Sequence, residues 1–175
     1  MKDGFDYTQF EEYVKKFENI EKEFENWLKL FLLQQAQRCI ARTKQRQRGL
    51  DLIDTGFMIN AWTIGDEARA IKKGADGKFT SDFDSAFASQ ASINSVSQVG
   101  NSLEITLGNI AEYASFVELG HSTRNGGWVS GGFMFTISMD EIDRAMPSRF
   151  QNEFVNFLKK WGVDWYGLWD NRGND

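Results

Sequence analysis

The first quarter of the chain has an apolar residue at every third or fourth position, with Glu and Lys in most of the places between them. Gly and Pro are absent from positions 7–44, so nothing there interrupts a helix. We predict one long helix, or two helices divided near Asn19 or Asn26, with Thr8 and Glu11 as a capping box at the start. The repeat consists of Tyr7, Phe10, Val14, Phe17, Ile20, Phe24, Trp27 and Phe31.

A turn signal follows this helix, in the segment 51–62. Asp54-Thr55-Gly56 combines two side chains that can hydrogen-bond nearby backbone N–H groups with a glycine that tolerates positive φ. The apolar run after it predicts a turn of helix at 57–61 and a strand at 62–66. We expect the turn to set the long helix against a sheet, so that mutations there disturb folding or assembly.

The clearest strand signal is the alternation of Leu103, Ile105 and Leu107 with Glu104 and Thr106, which is typical of a half-buried strand. We predict that a strand at 103–107 pairs with one at 93–99 through a Gly-Asn hairpin turn at 100–101. The residues from 110 to 119 then favour a short helix that ends at Gly120.

The remaining chain is predicted to contain one more strand and a second long helix. After a turn at 124–127, the apolar residues predict a strand over 128–138 that includes Phe133, Phe135 and Ile137. Ser138, with Glu141 three residues later, is the expected cap of a helix over 138–161. Pro147 is expected to kink or restart that helix near Ala145.

These elements predict an α+β fold: a long N-terminal helix, a small antiparallel β-sheet with a short helix, and a C-terminal helix packed on the sheet. We expect an N-terminal helical segment (1–48), a core (49–161) with a loop insertion at about 65–92, and a Trp-rich tail (162–175) that includes Trp165 and Trp169. The 15 Phe and 6 Trp are many for 175 residues, and such enrichment is typical of subunit interfaces.

The charge and the cysteine count exclude several classes of protein. A net charge of −5 argues against a general binder of polyanions. The single cysteine, Cys39, excludes an intramolecular disulfide and a cysteine-rich metal site. No apolar run approaches the ~20 residues of a membrane span, and the N-terminus lacks the apolar core of a signal peptide. We therefore expect a soluble chain made in the cytoplasm, with no membrane partner.

The end of the long helix carries five cations and no acid between positions 38 and 48. Cations are favourable at a helix C-terminus, and that is one reading. The other is a strip that contacts the phosphates of DNA, which would make the chain a DNA-handling module. The cations are Arg38, Arg42, Lys44, Arg46 and Arg48.

No enzymatic constellation is found. His121 and Glu118 lie three residues apart, but a metal site needs three or four ligands and no Cys or second His completes one. Asp54-Thr55-Gly56 matches the turn that supplies a catalytic carboxylate in aspartic proteases, yet the chain has no second such turn to complete a dyad. We expect no catalytic residue, no metal and no cofactor.

Two segments together resemble a known family. The segment 51–62 resembles an Asp-Thr-Gly-x-Leu-x-x-Ser-Trp type motif, with Met58 near the Leu place and Asn-Ala-Trp replacing Ser-Trp. The segment 113–121, Tyr-Ala-Ser-Phe-Val-Glu-Leu-Gly-His, resembles a Tyr-Ala-x-Tyr-Val-Glu-x-Gly-Thr type motif. These are motifs of the tail-completion, or head–tail joining, minor structural proteins of long-tailed bacteriophages, prophages and phage-tail-like particles. The residues carried over are Asp54, Thr55, Gly56, Trp62, Tyr113, Val117, Glu118 and Gly120.

The resemblance covers roughly residues 49–157 and implies a structural role without a substrate. It implies a homo-oligomeric ring, expected to be a hexamer, at the neck or upper end of a tail. Its partners would be the tail tube or its terminator and the head connector, with transient passage of DNA. Such a subunit is assembled in the host cytoplasm and ends in the virion or particle. Glu118 is then expected to form ion pairs with the basic strip, within one subunit or between subunits.

Overall fold

The computed structural model describes residues 8–65, 71–73, 79–81 and 93–162; for residues 8–14, 16–17, 71–73 and 79–81 it describes the backbone alone. The architecture is α+β, as predicted. In chain order the elements are α1 (Thr8–Gly49), α2 (Phe57–Asn60), β1 (Trp62–Ile64), β2 (Ile71–Lys73), β3 (Phe79–Ser81), a 3₁₀ turn (Ile93–Ser95), β4 (Val96–Val99), β5 (Ser102–Ile105), β6 (Leu107–Asn109), α3 (Ala114–Leu119), β7 (Gly120–Ser122), β8 (Trp128–Ser130) and α4 (Met134–Lys160).

Helix α1 is continuous over 42 residues, without a break at Asn19 or Asn26. The predicted Thr8–Glu11 capping box lies outside the described side chains. Helix α1 runs antiparallel to α4, since Glu23 near one end contacts Lys160 (2.8 Å) and Arg42 near the other contacts Glu141. Aromatic rings fill the space between the helices, with centroid distances of 5.4–5.7 Å in the pairs Phe24–Phe154, Trp27–Phe150, Trp27–Phe157 and Phe31–Phe150.

The start of α4 corrects two predictions. The strand expected over 128–138 stops at Ser130, because Gly131 and Gly132 interrupt it. Helix α4 begins at Met134, four residues before the predicted cap, and Ser138 lies inside it with its hydroxyl donating to the Met134 carbonyl (2.6 Å). Met134, Ser138 and Ile142 are all buried at a spacing of four, which is a helical period. The strand prediction instead followed the alternation of Phe133, Phe135 and Ile137.

Pro147 neither ends nor restarts α4, which runs from Met134 to Lys160 with the proline inside. The predicted restart near Ala145 is therefore wrong. Aromatic contacts with α1 involve Phe150 and Phe157, on the C-terminal side of the proline. Tertiary packing of this kind routinely outweighs a local preference for ending a helix.

The strands form two-stranded antiparallel ladders instead of one sheet: β1–β6, β2–β3, β4–β5 and β7–β8. The predicted hairpin is present, with Val99 opposite Ser102 and Gly100 at φ 61°. Its boundaries differ from the prediction. Residues 93–95 form the 3₁₀ turn, and Leu107 belongs to β6, where it pairs with Ile64 of β1. Strands β2 and β3 lie in the predicted insertion.

Two groups of buried side chains hold these layers together. The first lies between α1, β1 and β4 and includes Ile40, Trp62 and Val96. The second joins α2, the chain before α3 and the start of α4, and consists of Met58, Ala61, Ala111 and Met134, with Phe57, Ala114 and Val117 packed against it. Both groups contain residues of the segment 51–62, which therefore connects the two halves of the core.

Candidate functional site

Trp62 joins three elements of the fold. Its ring is 5% exposed and stacks on Phe135 of α4 with a centroid distance of 5.2 Å and an interplanar angle of 23°. Its indole Nε1 donates to Oε1 of the buried Gln47 of α1 at 3.0 Å. Because buried indole N–H groups need an acceptor, this bond fixes α1 against β1.

The turn before α2 is built by Thr55 and Gly56. Thr55 Oγ1 accepts a hydrogen bond from the Phe57 N–H (3.4 Å), and Gly56 lies at φ 78° as the N-cap of α2. Asn60 donates to the Gly56 carbonyl through both its backbone N–H (3.3 Å) and its Nδ2 (2.9 Å). The prediction that Asp54 bonds nearby backbone is wrong within the described part of the chain, where its exposed carboxylate accepts no hydrogen bond.

The segment 113–120 forms α3 and the bend after it. The Tyr113 carbonyl accepts from the N–H groups of Phe116 and Val117, both at 3.1 Å, which begins the helix, while the Tyr113 side chain is 42% exposed. Gly120 lies at φ 86°, and a Cβ there would be 2.5 Å from the Val129 carbonyl oxygen. The position therefore accepts only glycine, because a side chain would push the two strands apart.

Glu118 caps the N-terminus of α4. One carboxylate oxygen accepts from the Phe135 N–H (3.0 Å), and the other accepts from the Thr136 N–H (2.8 Å) and hydroxyl (2.9 Å). The Glu118 carbonyl accepts from the Phe133 N–H at 3.0 Å. A carboxylate here satisfies free helix N–H groups and is attracted by the helix dipole. The predicted ion pair between Glu118 and the basic strip is therefore not formed within the described part of one chain, and a pair between subunits stays a prediction.

The two segments that carry the family resemblance lie side by side. Val117 packs against the core group that contains Met58, and Asn109 Nδ2 donates to the Met58 carbonyl at 2.9 Å. Residues 51–59 line one wall of a surface depression of about 660 Å³, and Tyr113 and Val117 line the other. The structure thus brings together two segments that are far apart in sequence.

The five cations of the basic strip, Arg38, Arg42, Lys44, Arg46 and Arg48, differ in their surroundings. Arg42 and Arg46 both donate to the Glu141 carboxylate of α4, which holds the pKa of that carboxyl below its ordinary value. Arg38 lies 3.8 Å from Glu153 and donates to Gln35. Lys44 is buried, and Arg48 is exposed near the helix end. Three of the five cations thus face acids of α4, which favours a structural role for them over phosphate binding.

The remaining titratable candidates show no reactive geometry. Cys39 is 1% exposed, and burial raises the pKa of its thiol to about 11. His121 is exposed on β7 and meets the Phe116 ring edge-on at 5.9 Å. The part of the chain that the structure describes contains no group of three His, Cys, Asp or Glu side chains that could hold a metal. No helix there combines the length and apolar character of a membrane span.

An exposed apolar surface surrounds the second segment. Trp128 is 66% exposed, Leu119 57%, Phe116 56% and Phe133 43%. Leu50 and Leu52 continue this surface, since a Cβ at Gly132 would lie 3.4 and 3.1 Å from their Cδ1 atoms. A surface of this kind on a folded chain marks an interaction site. Trp165 and Trp169, the other predicted interface residues, lie outside the described residues.

Sequence reasoning missed Gln47, Phe135 and Glu141. A signal for Gln47 existed, because Ala36, Ile40, Thr43 and Gln47 continue the spacing of three and four along α1. The prediction followed only the apolar residues of this repeat, and its last two members, Thr43 and Gln47, are polar. Glu141 gave no such signal, because its partners Arg42 and Arg46 lie nearly one hundred residues earlier.

Comparison of the chain with family models, with curated proteins and with solved structures finds no match.

Proposed function

We propose that this chain is a structural subunit of a phage or phage-like tail. It would form a ring at the neck or upper tail end that completes the tail and joins it to the head or caps it. The proposal starts from the resemblance of residues 51–62 and 113–121 to the tail-completion family. The observation that carries it is that these two segments are adjacent in the fold and share one core group.

Several positions in the two segments that resemble the family have structural roles in this chain. Trp62 fixes α1 to β1, Glu118 caps α4, and Gly120 permits the bend between α3 and β7. A motif whose members hold elements together is what a subunit without a substrate requires. Asp54 and Tyr113, which are exposed beside the same depression, are then available to a neighbouring protein.

The exposed apolar surface also supports assembly. Interfaces between subunits are enriched in aromatic residues, and Phe116, Trp128 and Phe133 are all exposed within the segment 116–133. A ring subunit has two different faces, each in contact with a neighbour. The tail tube or its terminator and the head connector would meet the ends of such a ring. DNA would pass through it transiently, without retention by an acidic protein.

Electron microscopy of particles tests this function. The chain would be tagged in the phage or prophage that encodes it, and the tag located with gold on purified particles. We expect label at the neck or upper end of each tail, and deletion of the gene should leave heads and tails unjoined. Particles without label, or normal particles after deletion, would contradict the proposal.

The alternative, a DNA-handling module that uses the strip Arg38–Arg48, makes a different prediction. Its affinity for duplex DNA would fall steeply with salt, because several phosphate contacts release counterions. The pairing of Arg42 and Arg46 with Glu141 leaves few free cations for such contacts. We expect purified protein to show no DNA binding at low ionic strength in an anisotropy titration. Tight, salt-sensitive binding that is lost in Arg48→Ala would establish the alternative instead.

A further inference from the structure

The hairpin β7–β8 extends from the fold as an exposed arm, which we define as residues 120–130. Every residue from His121 to Ser130 is exposed, and Trp128 is the most exposed large apolar side chain among the described residues. The arm contains one Lys or Arg residue, Arg124, and no acid. The exposed side chains of the arm leave it open to a partner, although its base packs against α3.

Hydrogen bonds nevertheless preorganise the tip of the arm. The Thr123 N–H donates to the Gly127 carbonyl (2.8 Å), and the Gly127 N–H donates to Thr123 Oγ1 (2.9 Å). At the base, a Cβ on Gly131 would lie 2.2 Å from the Glu118 carbonyl oxygen, so the arm is held tightly against α3. A rigid arm loses little conformational entropy when it binds.

A groove of matching character lies elsewhere on the same chain. It runs between α1, β5–β6 and α4, has a volume of about 480 Å³, and its lining is mainly apolar. Leu32, Ala36 and Cys39 line it from α1, and Phe135, Met139 and Ile142 line it from α4. Glu104 of β5 is the one carboxylate among its lining residues, and its side chain is exposed.

We propose that the arm of one copy of this chain docks in the groove of a second copy, with Trp128 in the apolar groove and Arg124 against Glu104. This rests on the proposed function, because it takes the neighbour in a ring to be the same chain. Two observations select a second copy as the partner. A groove of this volume accommodates an indole ring, and the Arg124 guanidinium of the arm complements the Glu104 carboxylate at the groove in a chain of net charge −5.

The geometry of this contact is head to tail, because arm and groove are different surfaces of one chain. Each copy therefore has one arm to donate and one groove to fill. Repetition of such a contact gives a closed ring when the rotation between neighbours closes, and a filament when it does not. The groove of the receiving copy is lined by four elements, α1, β5, β6 and α4, and the exposed Leu119 and Phe133 beside the arm can extend the interface.

Disulfide trapping tests the contact directly. The variant Glu104→Cys/Arg124→Cys places one thiol at the groove and one on the arm, and it is made in a Cys39→Ala background, as is its control, because Cys39 lines the same groove. Mild oxidation is expected to give a ladder of dimers, trimers and higher species that collapses on reduction. Arg48→Cys/Arg124→Cys is the matched control, because Arg48 is exposed outside the groove, and it should give no ladder. Monomer alone from the first variant, or equal ladders from both, would overturn the proposal.

A charge exchange then tests the pairing itself. We expect Glu104→Lys alone and Arg124→Glu alone each to lower the proportion of oligomer in sedimentation by about tenfold. The double variant, which restores opposite charges, should recover it. Trp128→Ala should abolish association, with unchanged circular dichroism as the check on folding.

If these variants associate normally while the tagged chain still labels the tail end, the arm contact is wrong and the proposed function stands. If the contact is confirmed but no particle carries the label, the proposed function is wrong and the arm contact stands.

Discussion

Glu118 and Thr136 are joined by two hydrogen bonds to a single carboxylate oxygen, one from the Thr136 backbone N–H (2.8 Å) and one from its hydroxyl (2.9 Å). Glu118 lies in the last turn of α3 and Thr136 in the first turn of α4, so a residue 18 positions away caps the helix. Local sequence provides no substitute, since the N-cap residue Phe133 has no side-chain acceptor and lies at φ 48°. The cap therefore couples the short helix to the long one.

Removal of the Glu118 carboxylate is expected to destabilise the protein. Glu118→Ala leaves the N–H groups of Phe135 and Thr136 without that acceptor, and we expect a loss of about 1–3 kcal/mol in the free energy of unfolding. Glu118→Gln keeps one carbonyl oxygen and should lose less. Urea denaturation followed by circular dichroism measures both values. Glu112→Gln changes an exposed acid two residues before α3 and is the control; an equal loss there would contradict the capping role.

The hydrogen bond between Trp62 and Gln47 is the second point of coupling. Trp62→Phe keeps most of the ring contact with Phe135 but leaves Gln47 Oε1 without its donor, and we expect a loss of about 1–3 kcal/mol. Gln47 Nε2 already has no hydrogen-bond partner among the described residues. Gln47→Leu in the Trp62→Phe background should therefore restore much of the stability. A double-mutant cycle in urea checks this, and simple additivity of the two changes would show that the bond contributes little.

Gly131 is expected to be intolerant of any side chain. A Cβ there would lie 2.2 Å from the Glu118 carbonyl oxygen and 2.6 Å from the Gly120 nitrogen, which are backbone atoms that cannot move aside separately. We expect Gly131→Ala to lower the unfolding free energy by about 2 kcal/mol or more. Gly49→Ala is the control, because nothing lies within 4 Å of its added Cβ. Thermal denaturation of the two variants decides the matter, and similar midpoints would contradict the steric argument.

Periodicity predicted the elements whose partners are local. The long α1, the hairpin at Gly100 and the short α3 are confirmed because repeat spacing and turn residues determine them within a few positions. The start of α4 was missed because its cap is supplied by Glu118, which no local pattern links to residue 134. In the same way, the sequence predicts too strong an effect of Pro147 on α4. The aromatic packing of α4 on α1 depends on residues far apart in sequence, so no single segment shows it.

The candidate site was predicted in part, for a related reason. Trp62 and Glu118 were selected through a resemblance, and the structure gives each a physical role as a connector. Asp54, selected in the same way, is exposed without a partner among the described residues, so Asp54→Asn should fold normally. The sequence predicts an ordinary strand around Trp128. It does not show that this side chain is exposed, because exposure depends on what the rest of the fold leaves uncovered.

The interhelical pairing of Glu141 with Arg42 and Arg46 predicts a specific dependence of stability on pH. The two guanidinium groups lower the pKa of Glu141 below its ordinary value of 4.5, so the unfolded chain takes up a proton at this residue before the folded chain does. The stabilisation is complete above pH ~4.5 and is lost as the pH falls through the folded pKa. Glu141→Gln should therefore lower the urea midpoint at pH 7, and the difference from the parent chain should shrink toward pH 3.

The matched control for this experiment is Asp140→Asn. Asp140 pairs with Arg144 at 2.5 Å within the same helix, but both side chains are more than half exposed, at 53% and 77%. An exposed pair of this kind contributes little, so the control should leave the midpoint nearly unchanged at every pH. High salt should also reduce the effect of Glu141→Gln, because the pair is partly open to solvent. A difference between Glu141→Gln and the parent that stays constant from pH 7 to pH 3 would show that the ion pair does not stabilise the contact between α1 and α4.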